Sequence, residues 1–381
     1  MELFSASGID LPLVDGRSRR APATLTRSLR IPLLNYKVVE DARALVHSPS
    51  AEQVAAAADY ARKIRSPKFR KQKETAIRPI FVEQVLGRVL GYSTNDPERP
   101  YTLAFEYLIR RGAVDVALGR FNEPDRRDTL IAPFELKGPD SDDLDRIMAG
   151  RGRSPVQQAW DYAIDAPGSK WVLVSNCVEI RLYAFGRGRE SCEIFDLSKL
   201  DEPAELERLR AILSADRLLG DGVDKMLRDT DSAYADVTER LYRDFKVLRE
   251  QLIRFLVDSA DGPKLGSLSA IEVAQKILDR ILFIAFAERT DLLPDRLLER
   301  AVKAVNEFVP QPLWLNFPAL FHQVDRGENR LNISAYNGGL FSEDPIADKL
   351  ILPEPLVRDI AGLGSWDFRR EVPVTVLGHI F

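Results

Sequence analysis

The chain has 381 residues, 45% apolar and 29% charged, with a net charge of −4; this is the composition of a soluble globular protein of two or three domains, not of one that coats nucleic acid non-specifically. No apolar run approaches the roughly 18–20 residues of a membrane span, and MELFSASGIDLPLVDGRSRR has no basic start followed by an apolar stretch, so a cytoplasmic home without a secretory signal is expected. Two cysteines, Cys177 and Cys192, are too few for a disulfide framework or a Cys-based zinc site, and His47, His322 and His379 show no spacing such as HExxH.

Residues 1–47 hold short apolar pieces broken by Pro and Gly, and their spacing assigns no element. Ser50 with Gln53 three positions on is a capping-box pattern, which predicts a helix over AEQVAAAADYARKI. A basic stretch follows, with Arg62, Lys63, Arg65, Lys68, Arg70, Lys71, Lys73 and Arg78 against the single acid Glu74. Clustered cations either displace counterions from DNA phosphates or form an ordinary solvated face. Lys68, Arg70, Lys71 and Lys73 are the candidate nucleic-acid contacts.

From about residue 79 the pattern changes. PIFVEQVLGRVLGY carries Phe81, Val85 and Val89 at helical spacing and stops at Gly91. YTLAFEYLI, AVDVALG and LIAPFELKG read as three strands, with RFNEPDRRD as a polar hairpin connection between the last two. SPVQQAWDYAI is a helix with Ser154 as N-cap and Pro155 at its first position. Trp171–Val174 and Val178–Phe185 read as two strands with a turn at Ser175–Asn176. The result is a mixed α/β core over 79–200, preceded by an N-terminal extension over 1–78 with a basic helical segment. Beyond 200 strand signals vanish. LERLRAILSADRLL, AYADVTERLYRDFKVLREQLIRFLVD, SAIEVAQKILDRILFIAFAERTDLL and DRLLERAVKAVNEF are amphipathic, and an all-α region over 201–381 is expected.

Three charged residues fall in neighbouring predicted strands: Asp115 in AVDVALG, and Glu135 and Lys137 in FELKG. Strand side chains alternate faces, so Glu135 and Lys137 project together with Leu136 opposite, and Asp115 on the next strand can meet them. Such charges among apolar residues are costly unless they pair or hold a cation. Two carboxylates with an open face suit Mg²⁺, with Mn²⁺ as a substitute; Asp115, Glu135 and the Leu136 carbonyl are the expected ligands. Lys137 is placed to orient the attacking water or to stabilise charge on a phosphate. E-x-K alone is a weak signal, and the bland alternative is a surface salt bridge on an edge strand.

The wider run raises its weight. Asp115, then F-E-L-K-G-P with Glu135 and Lys137, then S-P-V-Q-Q-A-W-D-Y with Gln158 and Tyr162, then W-V-L-V-S-N-C-V-E-I-R-L-Y with Asn176, Arg181 and Tyr183, resembles the nuclease domain of type IIG (type IIL) restriction–modification enzymes. That resemblance implies a PD-(D/E)xK restriction-endonuclease-like core, acids that bind Mg²⁺, a lysine that aids water attack, and a Q-x-x-x-Y helix. Gln158 and Tyr162 fit that spacing; Gln157 is off by one. The family also places a Glu in the helix before the first strand, which Glu83 matches. Val114 stands where the motif has its proline. L-F-I-A-F-A-E-R-T-D-L-L-P, Y-N-G-G-L-F and V-L-G-H-I-F resemble the helical connector that leads to an adenine methyltransferase in these enzymes. The S-adenosylmethionine loop and the N-P-P-Y-type motif of that domain do not occur here, nor does a P-loop GxxxxGK[ST]. S-adenosylmethionine is therefore expected only with a methyltransferase supplied elsewhere.

The resemblance implies a Mg²⁺-dependent endonuclease module of a bacterial restriction–modification or anti-phage defence protein. It would act on double-stranded DNA, with methyltransferase and target-recognition domains in cis or on a separate subunit, and no membrane. The alternatives are a catalytically silent DNA-binding or docking module, and a helical partner platform attached to a vestigial core. Blander readings also stand for Glu83 as a solvated helix residue, for Gln158 and Tyr162 as helix-surface packing, and for Asn176 as a turn residue.

Overall fold

The structure, a computed structural model, describes residues 31–148, 150–305, 311–336, 338–368 and 372. Readings made for 1–30 and for the closing V-L-G-H-I-F with His379 lie outside them. Helix α1 (Tyr36–Leu45) forms where apolar spacing assigns no element; the Asn35 side chain starts it by accepting the Lys37 N–H at 2.9 Å. Helix α2 (Ala51–Ile64) opens with the predicted capping box. Gln53 N–H donates to Ser50 Oγ at 3.2 Å, and Ser50 N–H donates to Gln53 Oε1 at 2.9 Å. Helix α3 (Glu74–Phe81) begins five residues before the change of pattern at 79 and holds Pro79 inside it. Proline has no N–H to bond back along a helix. The winding loosens directly afterwards into a π-helix over Val82–Val89, and Leu90 N–H reaches the Val85 carbonyl at 3.0 Å.

Strands β1 (Tyr101–Ile109), β2 (Gly112–Phe121), β3 (Thr129–Leu136), β4 (Trp171–Ser175), β5 (Glu179–Ala184) and β6 (Glu193–Asp196) form one mixed sheet in sequence order. Helix α4 (Pro155–Asp165) carries the chain from β3 to β4, so these two run parallel. The other neighbours are antiparallel. Strand β6 was beyond the sequence patterns: it is four residues long and opens on an acid. Burial of Glu193 is compensated by the Leu34 N–H at 2.9 Å and by Arg208. The sheet is covered on both faces. Trp171 and Leu173 join a core with α2 and α3, while Val172 and Val174 pack on Val156, Ala159 and Trp160 of α4. That alternation explains why β4 reads as a continuous apolar run.

Helices α5 (Pro203–Leu213), α6 (Ala215–Leu219), α7 (Gly222–Asp258), α8 (Ser267–Arg289), α9 (Leu297–Lys303), α10 (Asn316–Arg326) and α11 (Glu354–Ala361) follow. The apolar packing does not change partner at residue 200. Leu206, Leu209, Ile212, Val223 and Met226 still belong to the core beneath the sheet. From Val237 onward, α7 packs instead with Ile277, Ile281, Trp314 and Phe317. A helix of 37 residues is about 55 Å long and so serves both cores. No helix among the described residues is long and apolar enough to cross a membrane.

Candidate active site

The register of β2 and β3 pairs Val116 with Phe134 and Ala117 with Pro133. One step further, Asp115 stands across from Glu135. Here the strands part. The Leu136 N–H donates not to a carbonyl but to Asp115 Oδ2 at 3.0 Å, whereas the Lys137 N–H donates to the Ser175 carbonyl on β4 at 2.8 Å. Successive residues turn their backbone groups to opposite edges of a strand, so the Leu136 carbonyl lies on the Asp115 edge. Glu135 and Lys137 share a face, as their alternation requires: Lys137 Nζ is ion-paired with Glu135 Oε1.

Glu135 is fully buried and the Lys137 side chain is 13% exposed. Burial, followed by the charge of Asp115, pushes the Glu135 carboxyl up to about 8, against the opposing pull of Lys137. Asp115 stands across from Glu135 on the neighbouring strand, and Glu135 Oε2 has no donor. With Glu135 buried and Asp115 half-buried, a shared proton or a cation would satisfy that arrangement. Among the described residues no group of three or more His, Cys, Asp or Glu side chains could hold a metal ion. The oxygen donors in place are two carboxylates and a main-chain carbonyl. That set fits Mg²⁺, a hard ion that keeps several waters and accepts one or two protein carboxylates.

Gln158 and Tyr162 are brought to this cluster. The Gln158 Nε2 donates to the Tyr162 hydroxyl at 2.5 Å. Burial and then the Glu135 charge push the phenol up to about 12. Gln157, one position away, is engaged in the capping box with Ser154, donating its N–H at 3.2 Å and accepting the Ser154 N–H at 2.8 Å. Asn176 acts as a turn residue: its Oδ1 accepts the Val178 and Glu179 N–H groups, and its Nδ2 donates to the Ser141 carbonyl at 2.8 Å. Arg181 is held by Glu179 and Asp145.

Glu83 is not brought to the cluster. It is exposed and paired with Arg88 at 2.6 Å, which departs from the helical acid expected beside Asp115 and Glu135. Glu74, two to three turns earlier, is the acid of α3 whose burial raises its pKa and which lies in the fields of Lys137 and Asp115. The loop after β3 approaches it closely: a Cβ on Gly138 would fall 3.2 Å from the Glu74 nitrogen and 2.6 Å from Asp140 Oδ1. Sequence patterns hide Glu74 because it stands alone within the basic run. That run itself divides. Arg62 and Lys63 pair with Asp59, Arg65 with Asp201, and Arg78 with Glu106. Lys68, Arg70, Lys71 and Lys73 are exposed, and among the described residues none has an acid partner. Lys73 immediately precedes Glu74, so these free cations lead directly into the cluster.

A cavity of about 680 Å³ lies elsewhere, lined by Glu288, Arg289, Leu298, Arg358 and Gly364 among others. Its buried acid is accounted for: Glu288 Oε1 accepts the Leu298 N–H at 2.8 Å and caps α9. Comparison with family models, with curated proteins and with solved structures gave no match to this chain.

Proposed function

We propose that this chain is a metal-dependent endonuclease module with a PD-(D/E)xK-type core, hydrolysing phosphodiester bonds of double-stranded DNA within a restriction–modification or related defence protein. The observation that carries the reading is Glu135. A fully buried carboxyl with an oxygen lacking a donor, facing a second carboxyl and sharing its other oxygen with an ammonium, is costly as architecture alone. It is well suited to holding a cation against a phosphate. Asp115, Glu135 and the Leu136 carbonyl are the groups that would hold Mg²⁺ or Mn²⁺. The ion, when bound, would polarise the phosphate and lower the pKa of a bound water.

The chain's own groups divide the remaining work. The Leu136 N–H fixes the Asp115 carboxylate on one oxygen and leaves the other for ligand. Glu135, once deprotonated, would be one of the carboxylates that hold the cation. Lys137, on the same face, is the group that would orient the attacking water and offset the charge that builds at phosphorus. Gln158 holds the Tyr162 hydroxyl beside Glu135. Lys68, Arg70, Lys71 and Lys73 supply phosphate contacts along the DNA backbone. Sequence choice and methylation would come from target-recognition and methyltransferase partners, in cis or on another subunit.

The test is cleavage of supercoiled plasmid by the full chain with Mg²⁺ or Mn²⁺ against EDTA, alongside Asp115→Asn and Glu135→Gln. Metal-dependent cutting lost in both variants is the expected result. DNA binding without cutting under any of these metals would instead assign the chain to a silent docking module.

A further inference from the structure

Resting on that nuclease reading, we propose that Arg151 is a further catalytic residue, whose guanidinium contacts a non-bridging oxygen of the phosphodiester at the Asp115–Glu135–Lys137 cluster. The backbone around it is built to present it. Met148 N–H donates to the Arg153 carbonyl at 3.1 Å and Arg151 N–H donates to the Met148 carbonyl at 3.2 Å, closing a tight turn with Arg151 near its tip. Gly150 and Gly152, on either side, have φ of +76° and +65° with open space where a Cβ would be. Glycine is present there for left-handed backbone, not for lack of room. The turn feeds directly into the capping box of α4, which fixes its far end.

The side chain lacks the partner its neighbours have. Arg153 pairs with Asp161 at 2.7 Å, Arg146 with Asp142 at 3.5 Å, and Arg181 with Asp145 at 2.8 Å. Among the described residues Arg151 has no carboxylate partner. One guanidinium nitrogen donates at 3.3 Å to Gln158 Oε1, a neutral amide. The same amide donates onward to Tyr162 at 2.5 Å. Arg151 is thus joined through Gln158 to Tyr162, and its charge, like those of Lys137 and Asp115, acts on Glu74.

The chemistry favours a guanidinium at this place. Water oxygen adds to phosphorus as the bond to the leaving sugar oxygen breaks; the water proton passes to solvent, and the leaving oxygen takes a proton from solvent. The phosphoryl oxygens carry more charge midway than at the start. A planar fork of N–H donors can hold such an oxygen without transferring a proton, and binds the transition state more strongly than the ground state.

The test uses the full chain carrying Arg151→Ala, Arg151→Lys or Arg153→Ala. Single-turnover plasmid cleavage with Mn²⁺ is read beside the salt dependence of duplex binding in EDTA. Arg151→Ala is expected to cut about a hundredfold more slowly and to lose about one unit of salt slope. Arg151→Lys keeps the slope but, lacking the fork, cuts about tenfold more slowly. Arg153→Ala matches wild type in both. Wild-type cutting in Arg151→Ala overturns the inference alone. Should that variant not fold, wild-type cutting in Arg151→Lys does the same. A wild-type chain that binds DNA and cuts none overturns the nuclease reading beneath it, and the inference with it.

Discussion

Glu135 in the sheet and Arg280 in the helical core are both fully shielded from water, but their surroundings differ. Arg280 donates from Nε to the Leu340 carbonyl at 2.9 Å, from Nη2 to the Ser342 carbonyl at 2.6 Å and from Nη1 to Asp348 at 2.7 Å, and it lies 5.1 Å from the centre of the Phe321 ring. Its partners all come from its own chain. Glu135 keeps one oxygen without a donor and faces a second carboxyl. A buried charge answered on every side is architecture; a buried carboxyl with an unanswered oxygen beside a second carboxyl is the feature on which the proposed cation site rests.

The largest effect that would test this contrast lies in the helical core. Arg280→Met is expected to cost roughly 3–5 kcal/mol, because it strands Asp348 and two carbonyls. Denaturant unfolding should register that loss, while cleavage per folded molecule stays at the wild-type rate. Lost cleavage at unchanged stability would reverse the roles assigned to the two regions.

Next is the pH dependence of the metal-free chain. The Glu135 carboxyl is held near 8 in the folded state against an ordinary 4.5. A raised carboxyl favours the fold fully below 4.5, and that contribution is lost as pH rises through about 8, because the unfolded chain releases the proton first. Relative to Glu135→Gln, wild type should therefore lose stability over that interval, on the order of 1 kcal/mol per pH unit. Mn²⁺ should reverse the loss in wild type alone. Parallel pH curves for the two proteins would show that Glu135 is ionised and already satisfied.

Lys137→Ala comes third. Cleavage should fall by roughly a hundredfold, about 2.7 kcal/mol of barrier, with folding and DNA binding retained. Stability should change little, since the Glu135 carboxyl, held near 8 even beside the ammonium, already carries its proton at neutral pH. Single-turnover cleavage read beside thermal melting decides the matter: normal cutting with a lowered melting temperature would make Lys137 a salt-bridge residue.

These residues differ in how plainly the sequence carries them. Asp115, Glu135 and Lys137 are legible because a strand has a period of two and charges stand out among apolar neighbours. Gln158 and Tyr162 stand out only through the resemblance, since helical spacing alone reads them as surface packing, and Ser154 with Gln157 explains why the neighbouring glutamine is excluded. Glu83 rests on the resemblance alone, and the structure leaves it exposed beside Arg88 at the start of the π-helix. Glu74 and Arg151 have no periodic signal; a turn and a glycine contact bring them in. The end of the sheet core is equally hidden, because α7 is continuous across the change of packing partner.

The smallest expected effect applies the same contrast to the basic run. Arg62, Lys63 and Arg65 each have an acid beside them and so displace few counterions from DNA. Lys68, Arg70 and Lys71 are exposed without an acid partner among the described residues, on the approach to Glu74. Only cations that neutralise phosphates contribute to the salt slope of binding, at about one unit per contact. Replacing Lys68, Arg70 and Lys71 together by alanine should thus flatten the slope by up to about three units. Affinity should weaken equally for all sequences, because phosphate contacts carry no base information. Melting should hardly move, since exposed cations without partners hold nothing in place. Replacing Arg62, Lys63 and Arg65 should do the opposite, disturbing α2 through Asp59 and Asp201 while leaving the slope near that of wild type. Equal slopes for the two triple variants would mean that the free cations are ordinary solvated surface, and that DNA reaches the carboxylate cluster from another side.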